Sequence, residues 1–285
     1  MSDILTFDIE SWVHLREGIF GPDQTLTSAE RKKQDAGYLP RSIDYLLRLL
    51  SQSDNSATFF ILGEVFDWYP EAIQSIKEEG HEIAYHGHNH QTITDPDILS
   101  DQLDLSKKFL DLYQPAGFRA PQLFLREDET VLLKDYGFRY SSSSYGPFGV
   151  WETAGDIKEI PISTYPWRKN IIWQPVLPRP LSPGMMLKEF PYGSGIGASL
   201  FGSLISSFLR RSQLKGLSSV LMLHPWQLLI PPEIQRFNFR LKVLSSHPFF
   251  IPYTFNREKE LSRLISRYSF TSFSRYLTID SHDRF

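Results

Sequence analysis

The sequence predicts an α/β fold built from βα units around a parallel sheet or barrel. Two observations carry this reading. Short apolar runs alternate with amphipathic stretches across residues 3–144, and polar residues stand where the apolar runs end. DILTFDIE (3–10) is an apolar run closing on acids and reads as a buried strand. PRSIDYLLRLLSQS (40–53) has helical spacing, and ATFFILG (57–63) is a second buried strand ending at glycine. YPEAIQSIKEEG (69–80) is a helix bounded by Pro70 and Gly80. HEIAYHG (81–87) is a third strand, followed by a helix over 95–113. GFRAPQ (117–122) is a short strand and turn, REDETVLLKDYG (126–137) a helix and FRYSSSS (138–144) a further strand. LSSVLMLHPWQL (217–228) returns to a buried strand that ends in His-Pro-Trp. No repeat period and no linker divides the chain, so one domain over 1–285 is expected, with a loop-rich insertion at about 145–215 and a C-terminal helix at about 257–277.

Composition narrows the chemistry. The 285 residues are 41% hydrophobic and 22% charged with a net charge of −3, which suits a globular protein and gives no footprint for nucleic acid. There is no cysteine, so disulfides, thiolate metal sites and cysteine nucleophiles are excluded, and a transition metal would have to use His, Asp or Glu. No secretory leader and no apolar run long enough for a transmembrane helix is visible; a cytoplasmic location is expected, with peripheral membrane contact left open.

The strand ends hold the candidate residues. Asp8 and Glu10 are two apart, so strand alternation puts both carboxylates on one side. Unless a cation or a proton sits between them, they repel each other. YHGHNHQTI (85–93) carries three of the chain's eight histidines, and His86 and His90, four apart, can share a metal on one face of a tight turn. His88 should point elsewhere. Arg119 in FRAP follows the next strand, where a guanidinium can clamp a carboxylate. His224 ends the apolar run before Pro225, which restricts it to extended geometry. Trp226, Pro121 and Trp12 are the candidate substrate contacts.

LTFDIE, GHEIAYHGHNH, FRAP and LMLHPW occur in the order and approximate spacing of the polysaccharide deacetylases with NodB homology, the carbohydrate esterase 4 type. EIPIS, HPWQ and RLISRYSFTSF resemble the branch associated with exopolysaccharide and O-antigen clusters. The resemblance covers most of 4–144 and 217–275. It implies a distorted (β/α) barrel of about seven strands that removes N-acetyl groups from an amino sugar in a glycan or glycolipid. It also implies roles: Asp8 as base, Arg119 as its orienting partner and His224 as general acid. Glu10, His86 and His90 would hold a divalent metal, zinc first, with cobalt or another ion as alternatives. Two departures stand out. The family's first motif has adjacent aspartates where Ile9 separates Asp8 from Glu10, and Ser141 stands where aspartate is frequent. No carboxylate matches the usual partner of the acid histidine; Asp156 and Glu159 are the candidates. The alternatives are an amidohydrolase acting on a non-sugar C–N bond and an inactive glycan-binding homologue. The sequence does not indicate the oligomeric state.

Overall fold

A computed structural model describes residues 2–23, 26–147, 151–152, 157–167 and 176–282. Six strands follow the expected order, β1 (Asp3–Ile9), β2 (Thr58–Ile61), β3 (Glu82–Tyr85), β4 (Gly117–Phe118), β5 (Tyr140–Ser141) and β7 (Val220–Leu223), and β6 (Lys158–Glu159) joins them from the region read as loop-rich. They pair in parallel as β7-β1-β2-β3-β4-β5-β6, a seven-stranded sheet that curls into a half-barrel. A short strand, Trp151–Glu152, adds antiparallel to β6. β8 (Phe270–Thr271) pairs in parallel with the start of β1. Near the open side, Ser163 and Gly193 supply hydrogen bonds to β7, with Val220 N–H donating to Ser163 Oγ and Met222 N–H to the Gly193 carbonyl.

Every residue of β1 is buried, as expected for a parallel strand covered on both faces. Alternation sorts them. Leu5, Phe7 and Ile9 join the large outer core between sheet and helices, while Ile4 joins the barrel interior with Phe60, Ala84, Tyr140, Val220 and Met222. Asp8 and Glu10 fall on the interior side with Ile4. The strand therefore delivers both acids to the inside of the barrel at its C-terminal end, where barrel folds of this kind place chemistry.

Several boundaries differ from the sequence reading. Two helices that no element above anticipates, Trp12–Phe20 and Ser28–Asp35, are started by Ser11 and Thr27 caps. The helix expected over 95–113 breaks at Ser106 into Pro96–Leu105 and Lys107–Tyr113. The expected C-terminal helix over 257–277 is two helices, Glu258–Arg267 and Phe273–His282, separated by β8, because Phe270 and Thr271 pair with β1 rather than continue the turn.

Candidate active site

The site forms where β1, β3, β4 and β7 end. The β-ladder runs one residue beyond two of these strands: His86 N–H donates to the Ile61 carbonyl and Arg119 N–H to the Tyr85 carbonyl, both at 2.9 Å. Those bonds fix the backbone from which both side chains enter the interior. After His86 the chain turns sharply. Gly87 has φ of +82°, and a Cβ there would sit 3.1 Å from the Pro121 ring, so the position suits glycine. His90 itself adopts a left-handed φ of +61°, which aims its ring back toward β1.

Glu10 is the centre of the cluster. Its Oε1 lies 3.5 Å from His86 Nε2 and 3.4 Å from His224 Nε2, and its Oε2 lies 3.3 Å from His90 Nε2. Burial works against charge on Glu10, but His90, His224 and His86 outweigh it and hold the carboxyl well below its ordinary range. Burial also opposes charge on His90 and His224, and there Glu10, with Asp8, prevails and pushes both imidazoles up. Asp8 is wholly occupied on one side: its Oδ1 accepts from Arg119 Nη1 at 2.5 Å. Its Oδ2 faces the cluster, 3.9 Å from His86 Nε2 and 4.0 Å from His224 Nε2.

Arg119 is completely buried. It donates to the Ser142 carbonyl, Ser142 Oγ and Thr6 Oγ1 as well as to Asp8, and its guanidinium lies 4.0 Å over the Phe60 ring. A fork with this many fixed donors cannot swing, so neither can the carboxylate it holds.

The donor set fits a metal. Glu10, His86 and His90 each offer a ligand atom, all within 4.8 Å of one another. His86 Nδ1 lies 2.8 Å from the Arg119 carbonyl, which can only accept, so Nδ1 carries the proton and Nε2 presents a lone pair. That Nε2 is buried and has no hydrogen-bond partner. An imidazole with one nitrogen anchored on a backbone carbonyl and the other bare beside a carboxylate is arranged as metal ligands are. Asp8, Glu10 and His224 make a second possible triad, but Asp8 shares its carboxylate with Arg119. His88 turns away, as expected: its Nδ1 lies 3.1 Å from Ser106 Oγ.

His224 has a partner that sequence reasoning missed. Gln227 Oε1 accepts from the His224 backbone N–H at 2.9 Å and lies 3.1 Å from its Nδ1. Gln227 Nε2 donates to the Gly195 carbonyl and to Ser199 Oγ, which fixes the amide's orientation and hence the Nδ1–H tautomer of His224. Gly195 allows this approach, since a Cβ there would lie 2.9 Å from His224 Nδ1. Glu159 is not the partner of His224; it accepts instead from Ser143 N–H and Ser144 Oγ. Asp156 lies outside the described residues. Ser141 Oγ pairs with Ser143 Oγ.

These groups open on a cavity of about 320 Å³ lined by Asp8, Glu10, His86, His90 and His224 on one side. Trp226 lines it too, stacked on His224 with ring centroids 4.5 Å apart. Of the other two expected substrate contacts, neither reaches the cavity lining. Pro121 packs beneath Gly87, and Trp12 joins the outer core with Arg16 against its ring, because the helix it begins turns that face inward. The walls the sequence did not disclose come from Tyr145, Phe124, Phe249, Phe250 and Tyr253, aromatic residues in turn-rich segments without periodic signal.

A parallel half-barrel with a buried carboxylate–imidazole cluster at its strand ends defines the class of protein: a (β/α)-barrel with a metal-type donor set. Comparison with known proteins shows what the chain is similar to. Residues 34–141 match the model for the polysaccharide deacetylase family, a stretch that contains His86, His90 and Arg119. The chain is 35% identical over 109 residues to a peptidoglycan deacetylase-like protein of Gibberella zeae, covering 35% of this chain and 32% of that one. It is 31% identical over 110 residues to a peptidoglycan-N-acetylglucosamine deacetylase of Bacillus cereus, covering 37% of this chain and 49% of that one. The matched stretch thus spans a third to a half of these relatives. The fold resembles the crystal structure of a Mycobacterium smegmatis protein assigned as a polysaccharide deacetylase, with a TM-score of 0.60 at 21% identity over 96% of this chain and 88% of that one. It also resembles Puue allantoinase, with a TM-score of 0.58 at 14% identity over 99% of this chain and 88% of that one. The similarity to polysaccharide deacetylases is thus carried by the stretch that holds His86, His90 and Arg119.

Proposed function

We propose that the protein is a metal-dependent hydrolase that removes the N-acetyl group from an amino sugar in a glycan or glycolipid. The observation that carries this reading is the division of the cluster. Glu10, His86 and His90 offer a metal site, Asp8 is held beside it by Arg119, and His224 faces it from β7. Zinc suits two imidazoles and one carboxylate with an open position, and cobalt is the first alternative. A metal held there supplies Lewis acidity toward water and the acyl oxygen.

The chain's own residues do the rest. Asp8 keeps Oδ1 on Arg119 and turns Oδ2 into the cavity, where it takes a proton from the attacking water. The water oxygen bonds to the acyl carbon and the C–N bond breaks. His224, its Nδ1 proton tied to Gln227, donates from Nε2 to the departing amine. The products are acetate and a free amino sugar. The exopolysaccharide and O-antigen branch remains part of this reading, supported by the motifs EIPIS and HPWQ. A second reading, an amidohydrolase of a non-sugar C–N bond, is favoured by the apolar part of the wall, where Leu15, Ile19, Phe124 and Leu181 offer no hydrogen bonds to a sugar.

Metal content of the purified protein tests the site, with His86→Ala/His90→Ala as control. One divalent ion per chain, lost in the double variant, and acetate release from N-acetylated sugar oligomers are expected. A protein that takes up neither zinc nor cobalt would refute the hydrolase mechanism. Metal-dependent activity confined to small amides would select the second reading.

A further inference from the structure

The helix Phe237–Ser246 has one packed side and one side with nothing on it. Val243 is fully buried and Phe239 rests edge-on against Phe20, with ring centroids 5.9 Å apart. Phe237, Leu241 and Leu244 point to solvent at 75%, 51% and 56% exposure. Their spacing of four and three residues aligns them in one row along the helix. Packing does not explain this row, and three large apolar side chains on one exposed face are costly in water.

The charge around the row is one-sided. Across residues 232–246 Arg236, Arg240 and Lys242 stand against a single acid, Glu233, in a chain whose net charge is −3. Arg236, Arg240 and Lys242 are exposed. Arg236 lies 3.7 Å from Glu233, and Lys242 Nζ sits 4.2 Å over the Phe20 ring, so Arg240 stands beside the row with its charge free among the described contacts. Phenylalanine and leucine on one face with an unpaired arginine at its edge is the pattern of a helix that lies in a membrane interface.

The row is also joined to the cavity. After Ser246 the chain turns at His247 into the 3-10 stretch Pro248–Thr254, which carries Phe249, Phe250 and Tyr253 to the cavity wall. Phe250 stacks on Tyr253, and the Tyr253 ring meets His224 edge-on at 5.8 Å. One unbroken segment therefore runs from the exposed row to the candidate acid.

We propose that the Phe237–Ser246 helix docks the protein on an anionic lipid surface, its apolar row entering the interface and its basic residues meeting the headgroups. Among the described residues no helix is long and apolar enough to cross a membrane, and the contact proposed is one with the membrane's surface. The inference does not depend on the reaction: it stands on the row, the charge and the continuity with the cavity wall.

The test is co-sedimentation of the full chain with vesicles of phosphatidylcholine alone and of phosphatidylcholine with phosphatidylglycerol. The wild type should bind the anionic vesicles and release them in high salt. Phe237→Ser/Leu241→Ser/Leu244→Ser should abolish binding while leaving thermal unfolding and acetate release from a water-soluble substrate unchanged. Arg236→Gln/Arg240→Gln should weaken binding about fivefold for each arginine. Absence of wild-type binding to anionic vesicles would overturn the proposal. So would undiminished binding by the serine variant, or light scattering showing that this variant converts a dimer to a monomer, which would make the row a contact between copies of the chain.

Discussion

Asp3 offers a quantitative test of how this barrel tolerates buried charge. It lies at the base of β1, wholly buried and away from the cluster. Its Oδ1 accepts from Ser219 N–H and its Oδ2 from Gln213 Nε2, both at 2.7 Å. Burial pushes its carboxyl up from 3.8 to about 6, and the hydrogen bonds from Ser219 and Gln213 offset only part of that. A folded-state value above the unfolded one means that the native state binds the proton more tightly. The stability Asp3 contributes is therefore complete below 3.8 and lost as pH rises through about 6. At pH 7.5 the native state carries a buried anion, and the rise corresponds to about 3 kcal/mol. In Asp3→Asn the Oδ1 bond to Ser219 persists, and Gln213 can turn its amide to present oxygen to the new amide nitrogen. The variant should then be more stable than wild type by up to about 3 kcal/mol at pH 7.5, with the gain vanishing near pH 4. Urea unfolding followed by circular dichroism from pH 4 to 7.5 measures it, and the difference between the two proteins isolates this one group. A difference that is independent of pH, or one that favours wild type increasingly as pH rises, would refute the argument.

Three further outcomes follow from the site. Arg119→Met strands the Asp8 carboxylate inside the barrel and should cost about 3–5 kcal/mol in urea unfolding together with activity, and Arg119→Lys should not restore either, since one ammonium cannot reach Asp8, Thr6 and Ser142 at once. Glu10→Gln should lower zinc affinity in a competition titration far more than Asp8→Asn, which should retain metal while losing turnover; the reverse order would exchange their roles. Gln227→Leu frees the Nδ1 of His224 and should lower kcat about 10²-fold with metal content unchanged, whereas an unaltered kcat would remove Gln227 from any part in holding the acid.

The barrel was legible because its strands are local signals. The apolar runs at 3–10, 57–63 and 81–87 announce themselves without help from the rest of the chain, and strand ends place side chains predictably. What escaped was set by contacts distant in sequence. β6 is two residues long in the structure, too short for any period, and exists because β5 pairs it. Ser106 ends a helix that by composition should continue, and its hydroxyl bonds Tyr85 and His88 instead. Gln227 was missed because a carboxylate was sought; a neutral amide three residues beyond its histidine has no distinguishing mark in the sequence. His14 shows the same limit. Its ring accepts from Ser11 N–H, donates to Glu64 at 2.8 Å and stacks on Trp68, a buried assembly from two separated segments beside His90.

The step from Asp8 to Glu10 explains how one strand supplies two different carboxylates. Ile9 points outward into the helix-facing core, so the intervening residue costs the site nothing. Both acids face inward but at different heights. Asp8, still within the ladder, meets the guanidinium that the β4 exit supplies, and that contact takes one of its oxygens. Glu10, one residue past the strand and one methylene longer, clears Arg119 and reaches three imidazoles with its two oxygens. Two adjacent acids on an extended strand would point to opposite faces. Spacing them by two puts both inside, and the arginine then separates their duties. A carboxylate locked by a cation keeps its orientation and has one oxygen left for a proton, whereas one surrounded by neutralisable imidazoles keeps both oxygens for a metal.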